Sequence, residues 1–169
     1  MIGTAMFPFE IDALARLLID EARDRKVRIV TAESCTGGLV AGALTAIPGS
    51  SDVFERGFVT YSNRAKEEML GIPGDLIADM GAVSESVARM MAEAALEQSN
   101  AHIAVAITGI AGPGGGTPMK PVGTVHLATA RANGGIAHRL EVFEEPDRDG
   151  IRMAATRVAL EMLRERIER

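Results

Sequence analysis

Tryptophan is absent, tyrosine occurs once, and aromatic residues make up only 4% of the 169 residues. So small a stock argues against a protein that stacks nucleic-acid bases on an aromatic platform. Cysteine also occurs once, as Cys35, which excludes an internal disulfide and a CxxC metal site and points to a reducing compartment. Positive charge is in deficit: the formal net charge is −5 and the pI about 5.3, so a broad nucleic-acid footprint is not expected, and an anionic small ligand needs a local basic pocket. No apolar run approaches the length of a membrane span, and the first eight residues, MIGTAMFP, lack the basic region of a signal peptide. The expectation is a cytoplasmic protein with no membrane and no nucleic-acid partner.

What is present is 47% hydrophobic residues, a mean hydropathy of +0.11 and 18 glycines alongside many alanines. The length suits one domain, 1–169, with a sizeable core, and the small residues suggest close packing of helices on a sheet. Helical spacing of Ile11, Leu14, Ala15, Leu18 and Ala22 predicts a helix over 9–25. A β-branched run at 27–31 reads as a buried strand, and 39–46 as a helix. Residues 54–61 read as a second strand, 64–70 as a short helix capped by Ser62 or Asn63, and 75–80 as a weak helix. Ser84 caps a helix to Gln98, and 102–108 is a near-continuous apolar run, typical of a central strand. Residues 122–130 and 136–143 form a hairpin around Asn133-Gly-Gly, and 148–168 closes the chain as a helix. This order predicts an α/β fold, a three-layer α/β/α domain with a mixed sheet of about five strands; the strand order is not derivable.

Two stretches stand out. At the first strand-to-helix junction, TAESCTGG (31–38) packs Glu33, Ser34, Cys35 and Thr36 before Gly37 and Gly38. Such a turn places hydroxyls and free N–H groups at the sheet edge where α/β folds bind ligands, beside a positive helix N-terminus. It reads equally as an ordinary capped turn with Ser34 or Thr36 as N-cap. The second stretch, 109–121, is a glycine-rich loop that matches neither GxGxxG nor a P-loop, although its N–H groups could cradle an anion. His102, His126 and His138 fall in or beside strands without ligand spacing, and the plain reading of each is a half-buried strand residue. No cofactor and no metal are expected.

Ser34 as nucleophile with Lys66 as general base is the chemistry that remains. Residues alone lean towards Lys66 being a solvated neighbour of Glu67 and Glu68, and Cys35 is a rival nucleophile.

Six motifs in order, ESCTGG (33–38), PGSS (48–51), YSNRAK (61–66), GAVS (81–84), TGIAGP (108–113) and KPVG (120–123), resemble the CinA C-terminal domain family, the nicotinamide mononucleotide (NMN) deamidases. The likeness runs from about residue 10 to 168. It implies a metal-independent amidase that converts NMN to nicotinate mononucleotide and ammonia, in pyridine nucleotide recycling. It carries the nucleophile onto Ser34 and the base onto Lys66, with Tyr61 nearby. Glu33, Thr36, Gly37, Gly38, Thr108, Gly109, Gly112, Lys120 and Arg148 would contribute to substrate binding, with backbone N–H groups near 36–38 holding the oxyanion. Arg148 would take the phosphate, although EEPDR (144–148) stands where the family pattern has Gly-Asp-Arg. The resemblance also implies a homodimer. Larger members carry an N-terminal domain resembling molybdopterin-binding proteins; these 169 residues are not expected to include it, nor a pyrophosphatase activity associated with it. The alternatives are a non-catalytic nucleotide-binding module and a competence or damage-response interaction protein.

Overall fold

The computed structural model describes residues 5–168. Its elements run α1 (Phe9–Asp24), β1 (Ile29–Glu33), α2 (Leu39–Thr45), β2 (Phe54–Val59), α3 (Asn63–Leu70), α4 (Gly74–Met80), α5 (Glu85–Glu97), β3 (Ile103–Gly109), β4 (Thr124–Arg131), β5 (Gly135–Val142) and α6 (Arg148–Glu168), with a 3₁₀ turn at Ser50–Asp52 before β2. The sheet order is β2-β1-β3-β4-β5. β1 pairs in parallel with β2 and β3, while β3, β4 and β5 pair antiparallel. This is the mixed five-stranded, three-layer α/β architecture expected from the sequence.

Strand alternation sorts the two faces. Ile29, Ile103, Val105, Ile107, Val125 and Leu127 point to one side, where α1, α2 and α6 cover them. Val30, Ala32, Ala104, Ala106, Ala128 and Ala130 point to the other, against α3, α4 and α5. The second face is nearly all alanine, and α5 answers with Ala88, Ala92 and Ala95, all fully buried. Small residues on both partners bring this helix down onto the sheet, which accounts for the alanine-rich, aromatic-poor composition.

β1 starts two residues later than its apolar run suggests and extends through Glu33. Val27 N–H closes the end of α1 on the Ala22 carbonyl, Arg28 N–H donates to His102 Nδ1, and the parallel ladder begins at Ile29. From β1 the chain goes to β2 on one side and then to β3 on the other, so the strand order reverses at β1. Crevices at such a reversal are the usual ligand sites of open α/β sheets. Ser34 N–H donates to Ile107 O, and Thr60 N–H to Glu33 O, tying the C-terminal ends of β1, β2 and β3 together one residue past the strands.

Candidate active site

At that edge a cleft of about 250 Å³ is lined by Ser34 and Cys35 after β1, Tyr61 after β2, Thr108 and Gly109 at the end of β3, and Lys66 and Arg148 from α3 and α6. Lys66 is held there by local sequence. Ser62 caps α3 by accepting Ala65 N–H, and the first turn aims Lys66 inward instead of out to Glu67 and Glu68. Its side chain is 1% exposed. Nζ lies 3.0 Å from Ser34 Oγ and donates to the Thr60 carbonyl at 3.1 Å. No carboxylate pairs with it among the described residues. Burial, with no compensating anion, lowers the Lys66 pKa from its ordinary value. A neutral amine here keeps an N–H on Thr60 O and offers its lone pair to the Ser34 hydroxyl, the arrangement a general base requires.

Cys35, the rival nucleophile, is buried, and desolvation pushes its thiol pKa up to about 12. It is a protonated, inert thiol at neutral pH. Iodoacetamide is therefore expected to label Cys35 in denaturant and hardly at all in the folded protein at pH 8, as read by mass spectrometry. Cys35→Ala should leave turnover within about threefold, the range of a conservative packing change.

Glu33 does not reach the cleft. Fully buried, its carboxylate accepts Val40 N–H at 2.9 Å, Ala41 N–H at 3.0 Å and the Thr36 hydroxyl at 2.7 Å. The N-cap position of α2 is Gly38, left-handed at φ 100°, which provides no side-chain cap; neither Ser34 nor Thr36 fills that role. Glu33 reaches over from the end of β1 and supplies the missing acceptors, and its charge answers the positive helix end. The expected substrate contacts by Glu33 and Thr36 are thus replaced by an internal brace, and the helix terminus is already satisfied by a carboxylate. Glu33→Ala should cost about 3 kcal/mol in urea unfolding, the scale of lost bonds to a charged group, and leave KM nearly unchanged.

Gly37 and Gly38 lie outside the cleft. Gly37 N–H closes a turn onto Ser34 O at 3.0 Å, so it is not an oxyanion donor. Lys120 is not in the cleft either: Nζ donates to Met80 O and Val83 O and holds the 80–83 turn that forms one wall. Thr108 lines the cleft but braces the same wall through its bond to Ala82 O at 2.8 Å. Of the glycine loop only the first residues reach the site, and residues 113–119 are exposed. Gly112 acts through its carbonyl, which accepts Arg148 Nη1 at 2.6 Å. Arg148 Nη2 donates to the Tyr61 hydroxyl at 2.7 Å. Tyr61, 58% exposed, therefore turns its phenol towards Arg148; only its carbonyl faces Ser34 Oγ, at a weak 3.5 Å.

Two features were not read from the sequence. Arg152 donates to the carbonyls of Cys35 and Thr36. His126 Nδ1 and His138 Nε2 lie 2.9 Å apart with stacked rings, opposite Glu85 at the start of α5. The hairpin register that sets His138 two residues from facing His126 was the only available signal.

Fold and site together define a three-layer α/β domain with a serine–lysine pair at the switch point of its sheet. The chain belongs to the CinA C-terminal domain family, whose model matches residues 11–167. It is 49% identical over 148 residues to a CinA-like protein of Akkermansia muciniphila, covering 88% of this chain and 36% of that protein. It is 48% identical over 164 residues to a CinA-like protein of Anaeromyxobacter sp., covering 97% and 40%. The chain thus spans about two fifths of the length of these relatives. Among solved structures it is similar to the competence/damage inducible protein CihA of Agrobacterium tumefaciens, with a TM-score of 0.95, 50% identity, and 98% and 100% of the two chains covered. A CinA superfamily protein of Klebsiella pneumoniae aligns with a TM-score of 0.88 at 34% identity over 94% and 98%.

Proposed function

We propose that the protein is an amidohydrolase that converts NMN to nicotinate mononucleotide and ammonia. The observation that carries this is the buried Lys66 amine at 3.0 Å from Ser34 Oγ, with no carboxylate paired to it among the described residues. Ser34 Oγ attacks the carboxamide carbon, and its proton passes to Lys66 Nζ. The tetrahedral oxyanion collapses, the C–N bond breaks, and the Lys66 ammonium returns the proton to the leaving nitrogen as ammonia. Water, deprotonated by the now neutral Lys66, attacks the acyl ester; the carboxylate leaves and Ser34 recovers its proton. The Thr60 carbonyl steadies the ammonium in between. No protein metal or cofactor takes part in these steps.

The choice of NMN rests on the motif resemblance, and the site chemistry is compatible with it. The pyridinium charge makes this carboxamide more electrophilic than a neutral amide. Arg148, fixed between Gly112 O and the Tyr61 hydroxyl, presents a fixed cation at the cleft mouth for the phosphate. Tyr61 serves to orient that guanidinium. Incubation of the purified protein with NMN should release ammonia and nicotinate mononucleotide in equal amounts. Binding of NMN with no ammonia would make this a nucleotide-binding module instead.

A further inference from the structure

A polar side chain of the cleft is uncommitted. Lys66 Nζ and Ser34 Oγ are bonded to each other, Thr108 Oγ1 donates to the Ala82 carbonyl, and Arg148 donates to the Gly112 carbonyl and the Tyr61 hydroxyl. Asn63 lines the same cleft, and its side-chain amide bonds to none of the described residues. Local structure does not need that amide. Asn63 is the first residue of α3, but Ser62 supplies the cap by accepting Ala65 N–H. Asparagine is also a weaker helix former than alanine, so helix propensity does not select it.

Helical spacing places it. Residues three apart share a face, so Asn63 stands on the side of α3 that carries Lys66, one turn away and about 4.5 Å along the axis. Lys66 is buried, while Asn63 and Arg148 are exposed. The cleft therefore runs from the serine–lysine pair at its base, past Asn63 on the α3 wall, to the Arg148 guanidinium at its mouth. NMN has the same order of groups, with the ribose between carboxamide and phosphate. With the carboxamide at Ser34 and the phosphate at Arg148, the sugar falls beside Asn63. Its two neighbouring hydroxyls are neutral, and each both donates and accepts. A side-chain amide, with N–H donors and an acceptor oxygen, answers such a pair without placing a negative charge near the phosphate. We propose that Asn63 is a specificity-determining residue whose amide binds the ribose hydroxyls of the substrate. The assignment rests on the NMN reading above and adds the sugar to it.

The test crosses a protein variant with a substrate variant. Wild type, Asn63→Ala and Asn63→Asp are assayed with NMN and with its 2′,3′-dideoxy analogue, by initial rates of ammonia release and by calorimetric Kd. Wild type should favour NMN about 3- to 30-fold in kcat/KM, the range for one or two neutral hydrogen bonds. Asn63→Ala should lose that preference through a raised KM for NMN, with kcat within about twofold, because the contact is the same in ground and transition states. It should handle the analogue as wild type does, the non-additivity that a direct contact gives. Asn63→Asp keeps an acceptor and should retain part of the preference; it is the reference if the alanine variant does not fold. A wild type without preference, a preference that survives in Asn63→Ala, or an equal loss on both substrates would overturn the assignment and leave NMN hydrolysis standing. NMN bound with the expected pattern of Kd but without ammonia release would overturn the hydrolase reading and leave the assignment standing. Neither binding nor turnover of NMN by wild type would overturn both.

Discussion

Ser34→Ala should abolish ammonia release from NMN, by roughly 10⁴- to 10⁶-fold in kcat, as for removal of the nucleophile in serine hydrolases. The size follows from geometry. Among the described residues Ser34 holds the one hydroxyl that meets the Lys66 amine, and the neighbouring thiol is buried, with desolvation raising its pKa. The loss should come without unfolding, since among the described residues Ser34 Oγ bonds only to Lys66 Nζ and, at long range, to Tyr61 O. An active Ser34→Ala protein inactivated by Cys35→Ala would transfer the nucleophile to the thiol.

Lys66 should show the second large effect, and it separates activity from stability. Lys66→Arg keeps a cation that cannot deprotonate, and Lys66→Met keeps the length without the amine; each should lose about 10²- to 10⁴-fold in turnover, the range for general-base removal. The wild-type rate should rise with pH through an apparent pKa below that of free lysine. Stability follows the same shift. Burial lowers the folded-state pKa of Lys66 below 10.5. Between the two values the unfolded chain holds the extra proton, so stability rises with pH across that window, and the penalty is fully present beneath it. Lys66→Met removes the penalty. It should raise the Tm at pH values below the folded pKa, with the gain shrinking as pH climbs towards 10.5. A methionine variant that is less stable than wild type at every pH would show Lys66 to be a structural ammonium.

Local periodicity made the elements readable. Ile11, Ala15, Leu18 and Ala22 mark the buried side of α1, and the unbroken run from Ile103 marks a central strand. The order β2-β1-β3 was not readable, because β1, β3 and β4 are buried on both faces and their side-chain pattern does not say which strand lies beside which. That order decides the site. It brings Thr60, Ser34 and Thr108 to one edge, and it makes Lys66 a buried partner of Ser34 although its neighbours Glu67 and Glu68 suggest a solvated face. The same limit hid what Glu33 does. Its place in the motif marks it as part of the site, but only the fold-back of α2 onto the end of β1 shows its carboxylate bound to Val40 and Ala41 N–H. Arg152 lies 117 residues from Cys35 and Arg148 lies 87 from Tyr61, separations across which sequence pattern carries no information.

The most direct test of the account is to mix the protein and NMN, quench in acid within one turnover, and map the adduct by peptide mass spectrometry. The account predicts a mass increase equal to NMN less ammonia on the peptide from the β1–α2 turn, placed on Ser34 by fragmentation, and absent in Ser34→Ala and Lys66→Arg. An adduct on Cys35, or ammonia released by the Ser34→Ala protein at the wild-type rate, would contradict it.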